Sequence, residues 1–101
     1  MLASNMKAVH PGEILVEEFL TPMRLTCREI ADDMGLPLRQ INEIVQGKRG
    51  ITAETALRLA RYFSNSASFW FGLQMDYDLQ TASNNDGERI SREVKVYRSP
   101  D

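Results

Sequence analysis

The 101-residue sequence predicts an all-α protein of five helices that ends in a short C-terminal tail or edge strand. Three observations carry that expectation. From His10 to about Ala82, apolar residues recur at helical spacing rather than in strand-like alternation. Residues that favour helix starts (Pro11, Thr26, Pro37, Thr52 and Ser66) punctuate this stretch. Pro22, Gly35 and Gly47 supply stops between them.

Each helix has a readable beginning. Pro11 suits a first helical position, with His10 before it and Glu13 adding negative charge to the first turn. Ile14, Leu15 and Phe19 mark the apolar face, and Pro22 is expected to stop the helix. Thr26 and Glu29 have the spacing of a capping box ahead of the second helix. Its buried stripe is Cys27, Ile30, Ala31 and Met34, and Gly35 stands where a left-handed residue closes a helix. The third helix is expected from Pro37 to Gly47. Thr52 caps a fourth, with Ala56, Leu59, Ala60 and Phe63 inside. Ser66 caps a fifth that bears Phe69, Trp70, Phe71, Leu73, Met75, Tyr77 and Leu79.

Outside this domain (residues 10–82), residues 1–9 are expected to fray, and 83–101 to form a polar linker and tail. SNNDGE reads as a turn-rich break. Ile90, Val94 and Val96 at even spacing suggest an edge strand or an extended tail.

Composition narrows the function. Apolar residues at 43% and charged residues at 26% fit one soluble globular domain. No stretch approaches the roughly 18 apolar residues that cross a bilayer, and no export signal is recognisable. One cysteine, Cys27, excludes an internal disulfide, and with His10 it is too little for a structural zinc site. A cytoplasmic protein without metal or cofactor is expected. No nucleophile–base pair is present: Glu17 and Glu18 face about 100° apart on their helix. An enzyme is therefore not expected.

The second and third helices, about residues 26–47, form the informative pair. Two short helices joined by about three residues that include a glycine make a helix-turn-helix unit. Ala31 permits close crossing, and Ile41 and Ile44 fill the angle between the helices. With Ile41 at 0°, Asn42 lies near 100°, Gln46 near 140°, Arg39 near 160° and Glu43 near 200°, at about 100° per residue. These four polar side chains point away from the core together. Arg, Asn and Gln pair bidentately with guanine or adenine edges in the major groove. Glu43 either accepts from cytosine N4 or steers and screens Arg39. The basic turn Gly47-Lys48-Arg49-Gly50 follows at once; with no Ser or Thr after its lysine, it is not a phosphate-binding P-loop. Between Arg39 and Arg61 stand five basic residues against two acidic ones, in a chain of net charge −2. Charge is thus polarised as in a small duplex-DNA reader.

The runs HPGEILVEEFL, LTCREIADDMGLPLRQINEIVQGKRGITAETALRLARYF and SNSASFWFGLQMDYDL together resemble the HigA antitoxin family. Its members are also called virulence-associated protein I, within the larger Xre class. The resemblance covers His10 to about Leu79. It implies a five-helix, lambda-repressor-like DNA-binding domain and a cytoplasmic antitoxin of a type II toxin–antitoxin pair. Such a protein neutralises a HigB-like, RelE-fold, mRNA-cleaving toxin and represses its own operon as a dimer on double-stranded operator DNA. By position, the resemblance implies that Leu38, Arg39, Asn42 and Glu43 face bases. Gln40, Gln46, Lys48 and Arg49 would touch backbone phosphates. Many Xre proteins carry a phosphate-contacting glutamine where Cys27 stands, so that contact is expected to be missing or weaker.

The fifth helix, expected over about residues 66–82, bears two apolar stripes. Phe69, Leu73 and Tyr77 make one, with Trp70 beside it; Phe71, Met75 and Leu79 make the other, displaced by about 200°. A chain this small does not easily bury both, so the second is expected to be the interface of a two-fold homodimer. That pairing would set two third helices about 34 Å apart, one duplex turn. Two other functions remain open from sequence: a stand-alone Xre-type repressor, and a helical protein-binding adaptor without DNA affinity.

Overall fold

A computed structural model describes residues 6–100 of the chain. Five helices follow one another: α1 (residues 11–23), α2 (Cys27–Met34), α3 (Leu38–Val45), α4 (Ala53–Phe63) and α5 (Ala67–Glu93). No strand occurs among the described residues. α1 packs on α3 and α5, α2 on α3 and α4, and α4 on α5. Leu15, Ile30, Ile41, Ile44, Leu59 and Trp70 lie fully buried at the centre.

Local chemistry explains most helix ends. His10 caps α1, its Nδ1 accepting the Gly12 N–H at 2.9 Å. The Thr26–Glu29 capping box forms in full, at 3.1 and 2.8 Å. Gly35 closes α2 at φ 69°, a conformation that costs glycine nothing. The Thr52 and Ser66 hydroxyls accept from the N–H groups of Thr55 and Phe69. α3 begins just after Pro37, and its terminal turn ends at Gly47 with φ 76°.

Pro22 does not stop α1. The stretch Leu15–Leu20 is wound as a π-helix, and one further turn, Thr21–Met23, contains the proline before Arg24 ends the helix at φ 58°. A proline ring clashes with the carbonyl four residues back in a regular helix. The wider π turn, in which the Thr21 N–H reaches the Val16 carbonyl, offers that ring relief.

The chain beyond Ala82 departs furthest from expectation. α5 runs unbroken through the polar SNNDGE segment to Glu93, and residues 94–100 follow without helix or strand. Side-chain links at helical spacing span the predicted break: Arg89 to Asp86 (3.3 Å) and Glu93 (3.0 Å), and Gln80 to Asn84 (3.0 Å). Each contributes a few tenths of a kcal/mol, together enough to rival the roughly 1 kcal/mol cost of Gly87. The Met6 carbonyl accepts from Asn84 Nδ2 at 2.6 Å; residues 1–5, the outer part of the segment expected to fray, lie outside the described residues.

On α5 the inward side centres on Trp70 rather than Phe69, which is 40% exposed. Trp70 packs among Phe19, Phe63 and Phe69 at centroid distances of 4.8 to 5.8 Å, and its Nε1 donates to Asn65 Oδ1 at 2.7 Å. This cluster joins α1, α4 and α5.

His10 gives the fold a pH dependence. Its ring is buried against Tyr77 (4.9 Å between centroids), and burial pushes its pKa below the usual value; Glu13, the Arg49 backbone and Asp78 oppose this in part. The folded state therefore favours the neutral ring whose Nδ1 accepts the cap bond. Its contribution is present above the unfolded pKa of about 6.5 and is lost as pH falls through the lower folded value. The urea midpoint is expected to drop on acidification from pH 7.5 to 5.5, with a smaller drop in His10→Asn, which keeps a capping acceptor but does not titrate there. Equal slopes in both proteins would assign the effect elsewhere.

Candidate nucleic-acid interface

The inner face of α3 is anchored by Ile41 and Ile44, both at 0% exposure. That anchoring turns the 39, 42, 43 and 46 positions outward. The Arg39 side chain is 87% exposed, and Gln46, Lys48 and Arg49 are exposed beside it. Asn42 and Glu43 are half-buried at the rim, and Leu38 packs partly against the core at the start of the helix.

Glu43 is the electrostatic centre of this face. Its Oε2 accepts from Arg39 Nε at 3.0 Å, while its Oε1 receives Arg49 Nε at 2.8 Å and Nη2 at 2.7 Å. Hydrogen bonds from Arg49 and then Arg39 hold its carboxyl below the usual carboxylate range. The Glu43 carbonyl also accepts the N–H groups of Lys48 (2.8 Å) and Arg49 (3.2 Å). One residue thus ties α3 to the basic turn through both side chain and backbone.

Gln40 differs from the outward placement expected of a phosphate contact. Its Nε2 donates to Thr55 Oγ1 at 3.2 Å, and Thr55 in turn bonds Thr52. The amide is engaged by α4 because Thr55 is a buried hydroxyl that needs a partner.

Long-range contacts hold the turn from behind. Gln74 on α5 accepts the Ile51 N–H at 2.7 Å, at the end of the GKRG turn. Nothing in the sequence marks Gln74, since its partner lies 23 residues away. Arg58 is likewise committed: Nη1 donates to the Met34 carbonyl at 2.7 Å, and the guanidinium pairs with Glu54. It satisfies the C-terminus of α2, where a cation is favoured, rather than adding to the α3 face. Arg61 lines a shallow groove of about 450 Å³ with Asp33, Met34, Arg58 and Tyr62, whose hydroxyl donates to Asp33.

Cys27, at the first position of α2, is half-buried, and burial raises its thiol pKa. No group of metal-ligating side chains occurs among the described residues, and no helix there is long and apolar enough to cross a membrane.

Residues 16–70, the span from the middle of α1 to Trp70, match the Helix-turn-helix protein family. The chain belongs to this helix-turn-helix family. Virulence-associated protein I of Dichelobacter nodosus is 51% identical over 79 residues, which span 78% of this chain and 73% of that one. Antitoxin HigA-1 of Vibrio cholerae is 32% identical over 97% of this chain and 89% of its own. Antitoxin HigA of Pseudomonas aeruginosa, solved with the higBA promoter, superposes with a TM-score of 0.88 at 39% identity, covering 91% of this chain and 100% of that one. The chain is thus a helix-turn-helix protein of the HigA and virulence-associated protein I type, a family of regulators and antitoxins rather than enzymes.

Proposed function

We infer that this protein is the DNA-binding antitoxin of a type II toxin–antitoxin pair. It represses its own operon as a homodimer on double-stranded operator DNA, and in the cytoplasm it neutralises a HigB-like, RelE-fold toxin. The observation that carries the DNA reading is the exposed face of α3, with Arg39 at its centre, continued by Lys48 and Arg49. Arg39, Asn42 and Leu38 are assigned to base edges, and Gln46, Lys48 and Arg49 to phosphates; Glu43, expected at a base edge, faces the same groove with both carboxylate oxygens on Arg39 and Arg49. Gln40 is assigned to a phosphate as well, with one N–H of its Nε2 given to Thr55 and the other left to donate. Exposure of Phe71 (48%), Met75 (56%) and Leu79 (61%) along one side of α5 supports the two-fold interface.

Two substitutions test the assignment. Arg39→Ala is expected to cost about 1–3 kcal/mol at one base-pair position and to relax preference there. Uniform weakening on every duplex would make Arg39 a phosphate contact instead. Lys48→Ala should lower affinity for all duplexes and reduce the salt slope by about one unit, read from titrations between 50 and 200 mM salt. Affinity for the promoter that does not change with salt would sink the DNA reading. Co-purification with the product of the adjacent reading frame tests the toxin half. Without such a partner the protein is a stand-alone repressor.

A further inference from the structure

We propose that Glu43 is a positioning residue that sets DNA specificity through Arg39 and Arg49, rather than a base contact in its own right. The inference rests on the operator-binding reading above. Both carboxylate oxygens already receive guanidinium groups, Oε2 from Arg39 and Oε1 from Arg49. Arg39 spends only Nε on this bond, so its two terminal nitrogens remain to form the fork that pairs with guanine O6 and N7. A long arginine that is 87% exposed has many rotamers; one held at Nε presents its fork in far fewer.

The carboxylate also acts on the wrong partners. Arg39 and Arg49 without Glu43 are two cations beside a duplex, able to reach phosphates on any sequence. The clamp holds both and places a negative charge at the groove, which disfavours loose backbone binding. Exposed ion pairs of this kind add little to folding, so a change at Glu43 is expected to leave the domain intact. The separation of 39, 43 and 49 along the chain is what permits the arrangement. Arg39 is one helical turn before Glu43, and the N–H bonds of Lys48 and Arg49 to the Glu43 carbonyl fold the turn back within reach.

The test compares wild type, Glu43→Ala, Glu43→Gln and Arg39→Ala on two probes: a duplex of the protein's own upstream promoter and a scrambled duplex of equal length and composition. Thermal melts verify that each variant is folded. The promoter-to-scrambled affinity ratio is expected to fall about tenfold in Glu43→Ala. Affinity for scrambled DNA should rise, with a salt slope steeper by about one unit as Arg39, no longer held at Nε, reaches a phosphate. Glu43→Gln, which still accepts a hydrogen bond but carries no charge, should fall between. Single base-pair changes across the promoter then locate the lost preference. Loss at the same base pair in Glu43→Ala and Arg39→Ala supports the clamp. Loss at a different pair makes Glu43 a direct base contact and overturns it, as does an unchanged affinity ratio. Wild type that shows no preference for the promoter would remove the operator reading itself, and the clamp with it.

Discussion

Gly12→Ala is expected to destabilise the protein by roughly 3 kcal/mol, although the same change in most helices stabilises by up to about 1 kcal/mol. A Cβ at this position would drive into the carbonyl oxygen of Ile44, with Ile44 C at 2.9 Å and Val45 Cα at 3.0 Å behind it. All three are backbone atoms at the end of α3, so no side-chain rotation makes room. Relief requires α1 and α3 to separate, which opens the contact between Leu15 and the core. For a domain of about 100 residues each kcal/mol moves Tm by about 4–8 °C, so thermal unfolding should register a fall of over ten degrees. DNA affinity should fall too, because α3 is displaced with its exposed face. A melting temperature equal to wild type would mean that the close approach of α1 to α3 contributes nothing to holding the recognition face.

Trp70→Ala is the second large effect, expected at about 3–5 kcal/mol. The indole is wholly buried, lies between Phe19 and Phe63, and loses a hydrogen bond to Asn65 when removed. In a domain whose total stability is about 5–15 kcal/mol, this is a large fraction, and the midpoint of urea unfolding measures it. Phe71→Ala, one residue along, provides the contrast: its ring is 48% exposed, so stability of the isolated protomer should change little. Comparable destabilisation by both at protein concentrations too low for self-association would show that the two sides of α5 are equally buried within one protomer.

What could be read from the sequence was local. The Thr26–Glu29 box, the Gly35 stop and the Thr52 and Ser66 caps are settled within a few residues of chain, and each forms as expected. The outward direction of Arg39 and Gln46 followed from helical geometry once Ile41 and Ile44 were assigned inside. What escaped is set by contacts distant in sequence or by competition among weak terms. Gln40 turns to α4 because Thr55 is buried there, and Arg58 serves a carbonyl 24 residues away. Gly12 looks like any glycine until α3 is laid across it. The end of α5 depended on several small ion pairs outweighing Gly87 and a run of turn-forming residues. Pro22 was tolerated because the preceding turn widened.

Helix α5 bears Gln74, which braces the basic turn, and on another side Phe71 and Met75. A single stiff rod therefore joins the surface assigned to the second copy and the surface assigned to DNA. In the proposed pair the gap between the two reading heads would be gauged by the rod, not by a pliant tether, and half-sites moved apart by even one base pair would fall out of phase with it.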